Sequence, residues 1–301
     1  MTDSVSHDSD RLTRFLLPHA GVRGVRVHLH DTWRHISDRG PYPAAIRELL
    51  GEASAAAALF TGHAKVDGRL SVQLRASGPL RTLFAECTSA GTLRGIARFD
   101  ADAGPAMSRD LRTLGDDAVL ALTIENPSRG RDPMRYQGLV SLASESLSGA
   151  FEDYFRQSEQ LPTRMLLAAD DTRAAGLMLQ KLPGDAGDED GWNRAGLLFD
   201  TLTTSELLQW PAEVLLARLF SDDAPQVLGE KPLAFACSCS RERVEGMLLS
   251  LGAEEARAAV IDGEARIVCE FCGQTYLFTP DQIEALLATP AANLDAPERL
   301  Q

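Results

Sequence analysis

Cys237-Ser-Cys239 and Cys269-Glu-Phe-Cys272 hold four of the five cysteines of this 301-residue chain, and residues 240–268 separate the two pairs. Each pair can offer two thiolates to one ion, and the interval is long enough to form a small subdomain that brings the pairs together. Four sulfurs in tetrahedral array suit zinc, and most such sites stabilise folding. Each pair is also close enough to close into a short disulfide. In Cys-x-Cys, two extended residues reach about 7 Å, whereas a disulfide places its α-carbons about 4.4–6.8 Å apart, so the bond requires a bent chain. Disulfide sulfurs sit about 2.05 Å apart, closer than two ligands on one zinc can be, so oxidation and metal binding exclude each other. A structural clasp and a redox switch are both open at this point.

Around the pairs the chain reads as a compact C-terminal domain, 233–288. Ser240–Leu251 is helical, with Val244, Met247, Leu248 and Leu251 on one face. Ala265–Val268 leads as a strand into Cys269 and Gln274–Phe278 leads out of Cys272, which puts the second pair at a zinc-ribbon-like hairpin turn. A helix over Asp281–Leu287 closes the domain, and 289–301 is a polar tail expected to be mobile.

Upstream, Lys181–Gly191 carries three glycines, a proline and four acids, the composition of a domain exit. Helices are expected near 193–202 and 211–220, the second starting at Pro211, and Thr203-Thr-Ser-Glu206 has the capping-box pattern. Helices of about 10 residues are marginal in water and need a surface to dock on. Residues 182–232 are therefore read as a metastable helical linker.

Residues 1–181 are read as the core domain. Val25–Leu29 alternates as a half-buried strand, and Tyr42–Phe60 is rich in helix formers with Pro43 in its first turn. Leu70–Leu74, the stretch around Phe84, Gly95–Phe99 and Val119–Ile124 follow as strands without intervening helices. A helix over 145–158 places Leu147, Ala150, Phe151, Tyr154 and Phe155 on one stripe, and 164–168 and 175–180 close the domain as strands. Successive strands argue for an α+β fold: an N-terminal mixed α/β core, a helical linker and a small C-terminal cysteine domain.

A hydrophobic content of 44% with 24% charged residues is ordinary for a globular protein. The first ten residues are polar and acidic with no apolar signal core, and no run reaches the 18 apolar residues of a membrane span. A cytoplasmic protein with no membrane partner is expected. A net charge of −13 disfavours nucleic acid, and 231–280 holds five basic residues against seven acidic ones. Cys87 lies in an apolar stretch and is read as a packed thiol without chemistry. His28 and His30 alternate on a strand and are read as surface residues. No Ser-His-Asp set or carboxylate pair stands out, so no catalytic residue is assigned.

Several stretches resemble the redox-regulated 33-kDa heat-shock chaperones of bacteria. They are Cys-Ser-Cys-Ser-Arg-Glu-Arg (237–243), Cys-Glu-Phe-Cys (269–272), Tyr-Gln-Gly-Leu-Val (136–140) and Phe-Arg-Gln-Ser-Glu-Gln-Leu-Pro-Thr (155–163), with Tyr42-Pro43, Leu49–Glu52 and Gly78–Leu80 in support. The resemblance runs from about residue 12 to 288.

This resemblance implies one zinc per reduced chain on Cys237, Cys239, Cys269 and Cys272. It further implies an inactive reduced monomer in which hypochlorite, or peroxide with unfolding stress, forms the Cys237–Cys239 and Cys269–Cys272 disulfides. Zinc release, unfolding of the switch domain and linker, homodimerisation and ATP-independent holding of unfolding client proteins then follow; the chain is not an enzyme. Two rivals remain: a thiol-disulfide oxidoreductase using Cys269 and Cys272, whose motif belongs at a helix start, and a zinc-ribbon nucleic-acid binder, which the charge disfavours.

Overall fold

Helix α2 (Ala44–His63) is buried on every side from Leu49 to Phe60, although it contains a run of four alanines. A helix apolar all round belongs between two layers, and α2 lies between two sheets. The computed structural model describes residues 10–64, 66–102, 107–127, 134–184 and 186–288. The expected polar tail 289–301 and residues 1–9 of the acidic N-terminus lie outside these. Two compact units divide between Ala236 and Cys237.

The first sheet of the larger unit has the order β10-β1-β2-β9-β8, from β1 (Arg11–Leu17), β2 (Val22–Leu29), β8 (Thr163–Ala169), β9 (Ala174–Lys181) and β10 (Gln226–Pro232), all antiparallel. The second has the order β11-β5-β4-β3-β6-β7, from β3 (Arg69–Arg75), β4 (Leu80–Thr88), β5 (Thr92–Phe99), β6 (Val119–Asn126), β7 (Met134–Val140) and β11 (Ala234–Phe235). Val25, Val27, Leu29, Met165, Leu167 and Met178 of the first sheet join α2 and the inner face of the second in one core. Two further helices, α1 (Asp31–Ser37) and α3 (Leu147–Tyr154), border it. Cys87 on β4 is 1% exposed, and burial pushes its thiol up to about 12, as a packed thiol without chemistry should be.

The first sheet is covered on its other face as well. Helices α4 (Gly191–Phe199), α5 (Thr204–Gln209) and α6 (Ala212–Phe220) set Ala195, Phe199, Leu202, Leu207, Leu208, Leu215, Leu216, Leu219 and Phe220 against Phe15, Leu17, Val22, Ala175, Leu177 and Leu179. Phe220 stacks on Phe15 at 6.5 Å between centroids. Period-two alternation explains the sharing: alternate residues of β1, β2 and β9 serve α2 and the other helices in turn. The capping box at Thr203 is present, with Glu206 N donating to Thr203 Oγ1 at 3.2 Å and Thr203 N to Glu206 Oε2 at 2.9 Å.

The segment 182–232, read as marginal helices, has its helices between 191 and 223, the last turn a 3-10 helix at Ser221–Asp223, and ends in a strand. β10 pairs with β1, and β11 then adds to β5 in parallel, so the chain rejoins both sheets before Cys237. The exit at 181–191 is docked rather than free: Leu182 N donates to Gly21 O at 2.9 Å and Asp188 N to His19 O at 2.8 Å. Gly21, at φ +61°, lies so close to the exit that a Cβ there would stand 1.9 Å from Ala186 O; only glycine permits that approach. His28 corrects the sequence expectation. It is 8% exposed, because the strand face that looked solvent-facing lies beneath α5, and its Nε2 stands 2.9 Å from Leu208 O.

The smaller unit, from Cys237, consists of α7 (Arg241–Leu251), α8 (Ala253–Ala258), a three-stranded antiparallel sheet β12-β13-β14 (Val260–Ile261, Glu264–Val268, Thr275–Phe278) and α9 (Pro280–Ala288). Its buried apolar core is small: Val244, Leu248, Ala256, Ala265, Phe278 and Ile283.

Candidate metal centre

The sulfurs of Cys237, Cys239, Cys269 and Cys272 all lie within 4.8 Å of one another, and none is in a disulfide. Cys237 Sγ stands 3.6 Å from Cys269 Sγ and Cys239 Sγ 3.3 Å from Cys272 Sγ. Ligands about 2.3 Å from a tetrahedral ion are about 3.8 Å apart, a separation within the range these sulfurs span. The donor set therefore fits a thiophilic ion, and all four cysteines are half-buried, within reach of small solutes.

Local structure explains the convergence. Cys269 and Cys272 occupy the turn of the β13–β14 hairpin, closed by Cys269 N to Gln274 O at 2.9 Å and Gly273 N to Cys269 O at 2.8 Å. Gly273 adopts φ +72° there, the left-handed conformation glycine reaches without strain. Cys237-Ser-Cys239 precedes α7, whose N-cap Ser240 accepts from Arg243 N at 3.3 Å. Arg243 reaches back to Ser238 O at 2.9 Å. Arg241 lies over the Phe278 ring at 4.2 Å and donates to Leu277 O at 3.2 Å, tying the start of α7 to β14. The Ser-Arg-Glu-Arg that follows the first pair thus fixes the geometry of that pair. Its residues were quoted as a motif, but their positioning roles were not legible, because their partners lie up to 41 residues away.

Charge sets the chemistry. Burial pushes Cys237 and Cys272 up, the latter to about 12, and neighbouring cysteines push in the same direction. For Cys239 burial also raises, but hydrogen bonds from Tyr276 and the other cysteines outweigh it and bring the thiol down to about 7. Its partner Tyr276 rises to about 12 through the same hydrogen bond. Four thiolates at this spacing would repel one another, so without a cation among them the raised thiols keep their protons, and full deprotonation calls for a cation that offsets the charge. Tyr276 and the closing interactions of the hairpin are site residues that sequence reasoning did not assign.

The five histidines among the described residues do not join this cluster, and Cys87 lies in the other unit. Among the described residues no helix is long and apolar enough to cross a membrane.

Fold and site together define an α+β protein with a two-sheet core around a buried helix, three helices on the outer face of one sheet, and a C-terminal unit built around four thiols able to hold a metal ion. The chain belongs to the Hsp33 family of chaperones: the family model described as Hsp33 protein matches residues 10–279. Relatives named 33 kDa chaperonin include that of Ectopseudomonas mendocina, 43% identical over 298 residues and covering 97% of this chain and 99% of the relative. That of Neisseria meningitidis is 38% identical over 288 residues, covering 95% and 94%. The crystal structure of the 33 kDa chaperonin (heat shock protein 33 homolog) of Thermotoga maritima has the same fold, with a TM-score of 0.73 at 22% identity, covering 92% of this chain and 98% of that one.

Proposed function

We propose that this chain is an oxidation-activated, ATP-independent holdase of the cytoplasm: it holds zinc when reduced, is inactive in that state, and binds unfolding client proteins once oxidised. The observation that carries this reading is the convergence of four half-buried sulfurs within 4.8 Å in a unit with six buried apolar residues among those described. Cys237, Cys239, Cys269 and Cys272 would hold one zinc ion, which when bound supplies about 10–16 kcal/mol of apparent folding energy. On oxidation each pair gives two electrons and any remaining thiol protons to hypochlorite or peroxide. One S–S bond then forms between Cys237 and Cys239 and one between Cys269 and Cys272. At about 2.05 Å, bonded sulfurs no longer span a tetrahedral site, so the unit loses its main stabilising element.

The consequence passes to 191–220. Residues 182–232 act as a metastable linker between a chaperone core, 1–181, and a redox-switch domain, 233–288. The apolar faces of α4–α6 and of the sheet beneath them form a large buried surface; once parted, both are suited to apolar segments of unfolded chains and to a second copy, giving a dimer. β10 and β11 are strands of the core sheets, so the helices can leave while the ends of the segment stay anchored. The Cys269-x-x-Cys272 turn lies between two strands rather than at a helix start, which favours a switch over a thiol-disulfide enzyme, and the acidic surface gives nucleic acid no footing.

The test is suppression of light scattering from an aggregating client, before and after peroxide treatment with mild heat. Suppression only after oxidation is expected. Equal suppression in both states, or turnover in an insulin-reduction assay, overturns the reading.

A further inference from the structure

Arg26 is 1% exposed and His28 is 8% exposed, and both lie on the face of β2 that meets the three outer helices, opposite Val25, Val27 and Leu29, which face α2. A guanidinium and an imidazole are costly to place under a helix layer unless hydrogen bonds compensate them. Both reach the same place. His28 Nε2 stands 2.9 Å from Leu208 O, and Arg26 Nη2 donates to Trp210 O. Leu208 belongs to the last turn of α5 and Trp210 is its C-cap.

The end of a helix leaves its last carbonyls without partners inside the helix. In α5, six residues long, those carbonyls are most of what the helix has to offer. They also form the negative end of the helix dipole, where a cation or a ring N–H is favoured. The elbow that joins α5 to α6, Gln209-Trp210-Pro211, is therefore held on its core side by side chains of the sheet. The outer helices are tied at their ends as well, Arg164 of β8 to Asp200 at 3.5 Å after α4 and His19 Nδ1 to Asp222 O at 3.0 Å after α6. Arg194 of α4 pairs with Asp188 at 2.9 Å and with Asp223 within the segment, but the contacts of Arg26 and His28 lie beneath the middle of the layer and are buried.

We infer that Arg26 and His28 are positioning residues that latch the α5–α6 elbow to the core and keep the outer helices closed in the reduced protein. The inference rests on the proposed function for its consequence, but the latch itself is measured separately. Apolar contact alone is non-directional and would let α4–α6 slide or re-dock; two hydrogen bonds to the carbonyls of Leu208 and Trp210, two residues apart, set one register. Release at the elbow parts α5 from α6 and opens the layer from its middle. Loss of the latch would open the layer with the metal site intact, so that opening no longer waits for oxidation.

The test uses the full-length chain, reduced and with zinc bound. Arg26→Met and His28→Leu remove the donors; Arg26→Lys and His28→Gln keep one. Amide exchange around Leu207, Leu208 and Trp210 should accelerate roughly tenfold or more in the first two variants, with exchange in α2 and zinc content unchanged. The two conservative variants should recover protection, which a loss of packing volume alone would not predict. Unchanged α5 exchange in Arg26→Met and His28→Leu overturns the latch, as does failure of both conservative variants to recover protection. Should Arg26→Met fail to accumulate, Arg26→Gln, which keeps a donor too short to reach, takes its place with the same expectation. Client aggregation is followed in parallel: faster α5 exchange without suppression upholds the latch and overturns the holdase reading.

Discussion

Replacing Cys269 with serine should unfold the C-terminal unit while leaving the first unit intact. The four large buried side chains, Val244, Leu248, Phe278 and Ile283, contribute about 1.5–3 kcal/mol each, roughly 6–12 kcal/mol in all as an upper bound. A zinc site of four thiolates contributes about 10–16 kcal/mol, as much as the whole apolar core. A unit of about 50 residues is expected to have a net stability of only about 2.5–7.5 kcal/mol. Loss of even a quarter of the metal term, about 2.5–4 kcal/mol, is therefore comparable with much of that margin. A neutral hydroxyl in place of one thiolate would remove at least that share. The assay is chelator competition for zinc in reducing buffer, combined with amide exchange at Leu248 and Ile267 against Leu50 and Ala56 in α2. Wild-type zinc affinity with Leu248 and Ile267 still protected would refute the reasoning that this unit is held by its sulfurs.

Peptide mapping of the oxidised protein should find Cys237 joined to Cys239 and Cys269 to Cys272, because short loops close at high effective concentration; mainly cross-pair bonds would contradict it. Cys87, with its thiol pushed up to about 12 by burial, should resist a thiol-alkylating reagent at pH 8 until the first unit is denatured, and prompt labelling in the folded protein counts against this. Amides around Leu198 and Leu215 should lose protection on oxidation while those of β9 keep it, and equal protection in both redox states of an active protein places the switch elsewhere. Glu52 is raised to about 7, first by burial, with Arg109 opposing. The folded state holds its proton between about pH 4.5 and 7 while the unfolded state does not, so this group withdraws stability as pH rises through that window. Glu52→Gln should flatten the fall in Tm between pH 5 and 7.5; an unchanged slope refutes the assignment.

Local chemistry was legible without any structure wherever partners lie close in the chain. The two cysteine pairs, the hairpin that presents Cys269 and Cys272, the capping box at Thr203 and the amphipathic stripe at Leu147–Phe155 are all short-range patterns. The α+β class followed from successive strands, and 191–220 read as helices in need of a surface. What required the tertiary structure is whatever depends on a distant partner. β10 is largely exposed and has no apolar alternation, so its pairing with β1 more than 200 residues away left no period to read. The alanine run of α2 read as a helix but not as one enclosed by two sheets. His28 looked like a surface residue because alternation tells which face of a strand a side chain occupies, not what covers that face. Arg241 and Arg243 were visible as letters of a motif, yet their work at the cysteine site depends on carbonyls and a ring brought to them by folding. Sequence alone determined which groups can bind metal and which segments can form helices or strands, since both follow from nearest neighbours along the chain. Only the tertiary structure decided which faces are covered and how the four sulfurs are arranged and supported, because burial and mutual geometry are properties of segments that meet in space.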